Sequence, residues 1–325
     1  MRIYVKMKRG EINIKGIGML LTAILLWGIA IAPTKWALES IQPFTLLFLR
    51  LFFAGGISAI LSFNGLRKSI TNGVIPWKRM SLLSFTGVAG YFMFTSYGIS
   101  LTSGLHVSII DAVLPLVTIV FSAILLKEKI QGNYWTGIVL GLIGVLCITV
   151  PSSNETQGAS LVGDILILCS TFLFAYYTIL FKRPKQEKKL SNEVFTTLTL
   201  LIGAIILLPF AAIETFYYGL PKLHTWKAGF SLLYLVIGAT ILAYWLWNKA
   251  LEKVSASVSG LYLNALPLIS IIASVILLNE SLTWRILIGS CLVLFGVGWA
   301  DKDKLRSLMK FADRKTKGNI KYKPH

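Results

Sequence analysis

Charge is what this sequence is short of. Asp, Glu, Lys and Arg make up 14% of its 325 residues, where soluble globular domains carry roughly 25%, and the deficit excludes a soluble domain as the body of the chain. Histidine occurs three times. No H-x-x-x-H or paired-carboxylate spacing is present, so the residues that a metalloenzyme or acid–base enzyme gathers near water are missing. There is no glycine-lysine phosphate loop, which leaves ATP without a direct role. Cys147, Cys169 and Cys291 all fall in apolar stretches with no partner on a loop, and they read as small hydrophobes rather than disulfides, metal ligands or nucleophiles. Long connections are lacking too. The longest runs to about 17 residues, too few for a further domain or a set of catalytic loops.

What the chain has is apolar length. Hydrophobic residues make up 55% and the mean hydropathy is +0.71. Ten stretches are long enough to cross a hydrocarbon core of about 30 Å as helices. They cover residues 16–34, 43–63, 80–101, 104–126, 133–150, 161–181, 194–213, 228–248, 255–278 and 284–300. Function is therefore expected within helices. The first stretch follows a basic arm and contains Ala30-Ile31-Ala32, which resembles a leader cleavage site. Pro33 follows at once, and residues 25–32 line up with the start of the second half at an offset of about 147, so the segment reads as part of the fold.

A phrase is written twice. "LLKEKIQGNYWTGIVLGLIGV" (125–145) recurs without gaps as "LLNESLTWRILIGSCLVLFGV" (277–297), with Glu128 matching Glu280, Gly137 matching Gly289 and Gly144 matching Gly296. With the N-terminus inside, 27 of the 32 Lys and Arg fall in cytoplasmic segments, four fall outside, and Arg50 lies within a span. Both termini are thus expected in the cytoplasm. The net charge of +18 reads as this inside bias, not as a nucleic-acid surface. A repeat of five crossings re-enters from the opposite side, so the second copy is inverted. "KEK" becomes "NES" because the second copy of that turn faces outward. The expected organisation is a cytoplasmic arm (1–15), two five-helix repeats (16–150 and 161–300) and a basic cytoplasmic tail (301–325), in an all-α, multi-pass protein of the cell membrane.

Each half ends in the pattern "PLVTIVFSAILLKEKIQGNYWTGIVLGLIGV" or "PLISIIASVILLNESLTWRILIGSCLVLFGV". In this the chain resembles the drug/metabolite transporter superfamily, EamA branch, over about residues 15–300. The resemblance implies ten helices in two inverted halves, and transport of amino acids, other metabolites or nucleotide-linked sugars. It also implies a central cavity lined by spans 1–4 and 6–9, with spans 5 and 10 as buttresses. One departure is Arg50 in "FLRLF", which has no arginine counterpart in span 7.

Candidate site residues follow from depth and chemistry. Tyr244, Trp247 and Asn248 share a face of span 8, and Gly260, Asn264 and Pro267 share a face of span 9. Trp27 in span 1 and Tyr176 in span 6 offer stacking surfaces from the two halves. The substrate-binding set is therefore Trp27, Tyr176, Tyr244, Asn248 and Asn264. Pro115 and Pro267 are repeat-equivalent and are expected to kink their helices, as candidate hinges. Gly137, Gly141 and Gly144 form a small-residue face for internal helix packing. Arg50 and Asp111 each lie roughly 10 Å below the outer boundary at 1.5 Å per residue, and intramembrane charges pair. They are expected to form an ion pair, either a static clamp or one released by protonation of Asp111, with His106 passing the proton. The function expected is a secondary active transporter, exporting a small metabolite such as an amino acid. The partners are this solute, the lipid bilayer and the proton as coupling ion, with no cofactor and no nucleic acid, and with the oligomeric state unassigned. The alternative is a membrane-embedded lipid-handling protein or enzyme.

Overall fold

The computed structural model describes residues 14–127, 132–149, 160–182, 190–221, 225–251, 253, 262–263 and 265–300. The regular structure among them is helical. Seven stretches are long and apolar enough to cross a membrane: α1 (Ile14–Leu38), α2 (Pro43–Leu61), α3 (Trp77–Leu101), α4 (Gly104–Leu125), α6 (Leu161–Phe181), α7 (Asn192–Tyr218) and α8 (Trp226–Trp247). Three shorter apolar helices join them: α5 (Trp135–Ile148), α9 (Leu266–Leu278) and α10 (Trp284–Trp299). All ten fall on stretches expected from sequence. A short amphipathic helix, Phe63–Thr71, follows α2 and buries no residue.

The helix starts are written locally. Pro43 opens α2 after an extended Gln42, a position where its missing N–H costs nothing. The side chains of Ser103, Ser191 and Thr225 accept from the amides of His106, Val194 and Ala228, and so cap α4, α7 and α8. Each cap satisfies an amide that has no partner within its own helix.

Every extensive pairing between distant helices joins the first half of the chain to the second. α2 packs on α7 and α5 on α10; α3 packs on α6 and α1 on α8; the start of α4 packs on α9, as α1 does. Glycine sets the closest of these approaches. A Cβ on Gly144 would lie 2.7 Å from the Gly289 carbonyl, and one on Gly296 would lie 2.8 Å from that of Gly137. The glycines repeated between the two copies thus meet each other across α5 and α10, which gives their recurrence a packing cause.

The helices are interrupted where the halves correspond. The expected kink at Pro115 is a chain break: one segment of α4 ends at Asp111, Ala112 and Val113 form a turn, and Pro115 sits in the first turn of Leu114–Leu126. Pro267 likewise sits in the first turn of α9. Each proline begins a segment, where it is tolerated, instead of bending a continuous one. Phe85–Ala89 in α3 and Tyr234–Leu242 in α8 are π-helical, a form that gathers at functional sites. Lys127 and Asn279, 152 positions apart, both terminate their helices in the left-handed region, with φ of 56° and 53°.

Candidate functional site

Arg50 of α2 is buried against α3 and α8. Seven residues into α2, it is 7% exposed. Its Nε donates to Thr240 Oγ1 at 2.9 Å, and Thr240 in turn donates to the Leu235 carbonyl within the π-helical turn of α8. The guanidinium carbon stands 4.7 Å from the centroid of the Phe92 ring, a cation–π contact. Tyr91, Tyr234 and Tyr244 lie within electrostatic reach of the charge. The cation is thus housed by hydroxyl and ring, not by carboxylate.

The aromatic lining continues from α8 to α1. Trp27 meets Tyr244 edge-on at 5.3 Å and Trp247 at 5.3 Å, and its Nε1 donates to the Ala239 carbonyl at 3.0 Å. The Tyr234 hydroxyl returns a hydrogen bond to the Leu26 carbonyl at 2.8 Å. Trp27 and Tyr244, two of the expected binding residues, are therefore brought together. Tyr176 is not with them; it packs against Phe121 of α4. Its neighbour Tyr177 turns to the core, where a Cβ on Gly87 would run into its ring. Asn264 and the side chain of Asn248 lie outside the described residues.

Arg50 and Asp111 do not form the expected ion pair. Asp111 ends the first segment of α4, and its Oδ1 accepts from Thr171 Oγ1 of α6 at 3.2 Å. His106 is engaged elsewhere: its Nδ1 stands 2.8 Å from Asp164 Oδ2, and Asp164 Oδ1 accepts from Thr102 Oγ1 at 2.6 Å, all of it buried. His106 and Asp111 lie five positions apart, about 7.5 Å along the helix axis, and each meets its own partner on α6, Asp164 and Thr171. The relay from His106 to Asp111 is replaced by two separate sites. Among the described residues no group of three or more His, Cys, Asp or Glu could hold a metal ion.

Two acids hold helix starts. Glu280, the second-copy glutamate, accepts from the amides of Gly104 and Leu105 at 2.7 Å each and pairs with Lys35 at 3.3 Å. Its carboxylate joins the end of α1, the start of α4 and the turn before α10, beside a cleft of about 470 Å³ that also exposes Lys227 and Glu39. Glu214 of α7 is buried and accepts from the amide and hydroxyl of Thr45 at the start of α2. Sequence reasoning missed both caps, and also Asp164, Thr171, Thr240, Tyr234 and Phe92. The one available signal was a hydroxyl or carboxyl inside an apolar run.

The profile of the EamA-like transporter family matches residues 14–150 and 161–300. The chain belongs to this family. It is thus a multi-span membrane protein of a transporter family. Similar proteins include the uncharacterized transporter YetK of Bacillus subtilis, 29% identical over 90% of each chain. An uncharacterized transporter of Archaeoglobus fulgidus is 30% identical over 86% of this chain and 96% of its own. A solved crystal structure, 19% identical, shares the fold with a TM-score of 0.61 over 90% of this chain and 98% of that one. In this EamA-like chain the two charges deep in the first half, Arg50 and Asp111, are both held by hydroxyls of the second half.

Proposed function

We propose that this EamA-like protein is a secondary active transporter of the cell membrane. It exports small metabolites such as amino acids by alternating access between two inverted five-helix halves, with both termini in the cytoplasm. The observation that carries the reading is the tethering of each deep charge across the halves: Arg50 to Thr240 and Asp111 to Thr171. If one half rocks against the other, these single hydroxyl contacts are among those that can exchange, and each is weak enough to do so. Trp27 and Tyr244 meet edge-on across the same divide, and together they offer an aromatic surface to a solute beside them. Chain breaks and π-helical turns at corresponding places in the two halves support a mid-membrane site there.

Asp111 carries the coupling proton in this reading. It stands at the negative end of its own helical segment, with Thr171 as its described partner. The test is transport in liposomes reconstituted with the pure protein and loaded with amino acids, with and without an imposed pH gradient. Gradient-dependent solute movement is expected, and Asp111→Asn should abolish it while sparing exchange of solute for solute, which needs no net proton movement. Gradient-driven transport that survives Asp111→Asn would remove the proton from this residue. A complete lack of transport, with a lipid-modifying activity in its place, would overturn the transporter reading itself.

A further inference from the structure

Arg50 is an incomplete site. Within α1–α10 it is the one described Lys or Arg lying more than a turn from a helix end, and a charge at that depth costs several kcal/mol unless it is paired. No ion pair among the described residues includes it. Thr240 takes the Nε–H; the four Nη hydrogens have no acceptor among the described residues. Among the described residues the fully enclosed polar side-chain atoms that lack a partner are Ser231 Oγ and Ser274 Oγ, so neither Nη is sealed away. The guanidinium is held in place by Thr240 and the Phe92 ring, while its planar fork stays free. That fork matches two oxygens of a carboxylate in one plane.

We infer that Arg50 is the anion subsite of the transported solute, and that the solutes are organic monocarboxylates with a compact apolar or aromatic body. A single cation among aromatic rings suits one negative charge; a phosphate dianion would call for a second cation, and α1–α10 supply none at this depth among the described residues. Asp111 does not neutralise the site, because its carboxylate is held at Thr171. The Phe92 ring lies against the guanidinium, and Trp27, 5.3 Å from Tyr244, is the reporter of a solute's arrival. The inference rests on the transporter reading, but it is tested by binding, which does not depend on transport.

The experiment is a titration of the purified full-length protein in nanodiscs, followed by tryptophan fluorescence. The probes are 3-phenylpropionate, L-phenylalanine, 3-phenylpropionamide, phenethylamine and phenyl phosphate. The wild-type protein should bind the two carboxylates at least tenfold more tightly than the amide, the amine or the phosphate, a comparison that needs no variant to fold. Arg50→Lys, which keeps the charge but loses the fork, should weaken 3-phenylpropionate about tenfold; Arg50→Gln should abolish its saturable signal. Equal binding of the acid and its amide, tighter binding of the amine or the phosphate, or no binding of either carboxylate would overturn the inference. So would unchanged affinity in Arg50→Gln. Gradient-driven transport confined to cationic solutes would leave the transporter reading standing and this one refuted. Carboxylate binding that depends on Arg50 without any transport would refute the transporter reading and leave Arg50 as a carboxylate site.

Discussion

Glu280 shows how much one side chain can join. Its carboxylate satisfies the first two amides of α4 and the ammonium of Lys35, and hydrogen bonds to a charged group contribute about 1.5–3 kcal/mol where they are not exposed. Glu280→Ala should therefore lower stability by about 2–3 kcal/mol, read as a fall in the thermal midpoint in detergent. Lys35→Met should cost much less, because the cation sits at the rim and is partly solvated. Equal losses in the two variants would place the stabilisation in the ion pair instead of the cap. Part of the candidate set stood out in the sequence, and its pairing did not. Composition and depth picked out Arg50, Asp111, Trp27 and Tyr244. The choice between Tyr176 and Tyr177 turned on a helix rotation of about 100°, the angle between neighbours. Asp111 and His106, on one helix five positions apart, took separate partners about two turns apart on α6.

At the scale of the element, hydropathy located the apolar helices because crossing length and burial leave a long, contiguous signal. It could not show how α4 breaks or where α3 and α8 widen into π-turns. A π-turn shifts the hydrogen-bond ladder by one residue without changing the apolar content of the stretch, so nothing in a hydropathy profile marks it. Proline did give a signal at 115 and 267, but not whether the helix would bend or restart. The glycine repeat spoke more plainly. Since a Cβ on Gly144 would meet both the Gly289 carbonyl and Val293 at 2.7 Å, Gly144→Leu should destabilise the α5–α10 pair by about 1–3 kcal/mol. Gly56→Ala is the control. A Cβ at Gly56 meets nothing within 4 Å, and alanine in mid-helix is favoured over glycine by about 0.5–1 kcal/mol. A Gly144→Leu protein as heat-stable as the wild type would show that α5 and α10 do not pack through these glycines.

At the scale of the whole molecule, each helix of the first half packs on helices of the second in a matched pattern. α1 on α8 answers α3 on α6, and α2 on α7 and α5 on α10 each pair a helix with its own counterpart. Such a pattern is what two copies of one five-helix unit produce when they face each other about an axis in the membrane plane. In the proposed topology the short helix Phe63–Thr71, with Arg67 and Lys68, lies on the cation-rich cytoplasmic face, and the turn at Asn279-Glu280-Ser281 lies on the cation-poor one. Lys68 and Ser281 are both exposed, so accessibility to a reagent depends on the side alone. With Cys147, Cys169 and Cys291 replaced by alanine, a membrane-impermeant maleimide added to intact cells should label Ser281→Cys and leave Lys68→Cys unlabelled. Permeabilisation should then expose Lys68→Cys. Labelling of both before permeabilisation would mean that the two turns share a face. The repeats would then not be inverted, and the packing of α1 on α8 would have to arise from some relation other than a two-fold axis in the membrane.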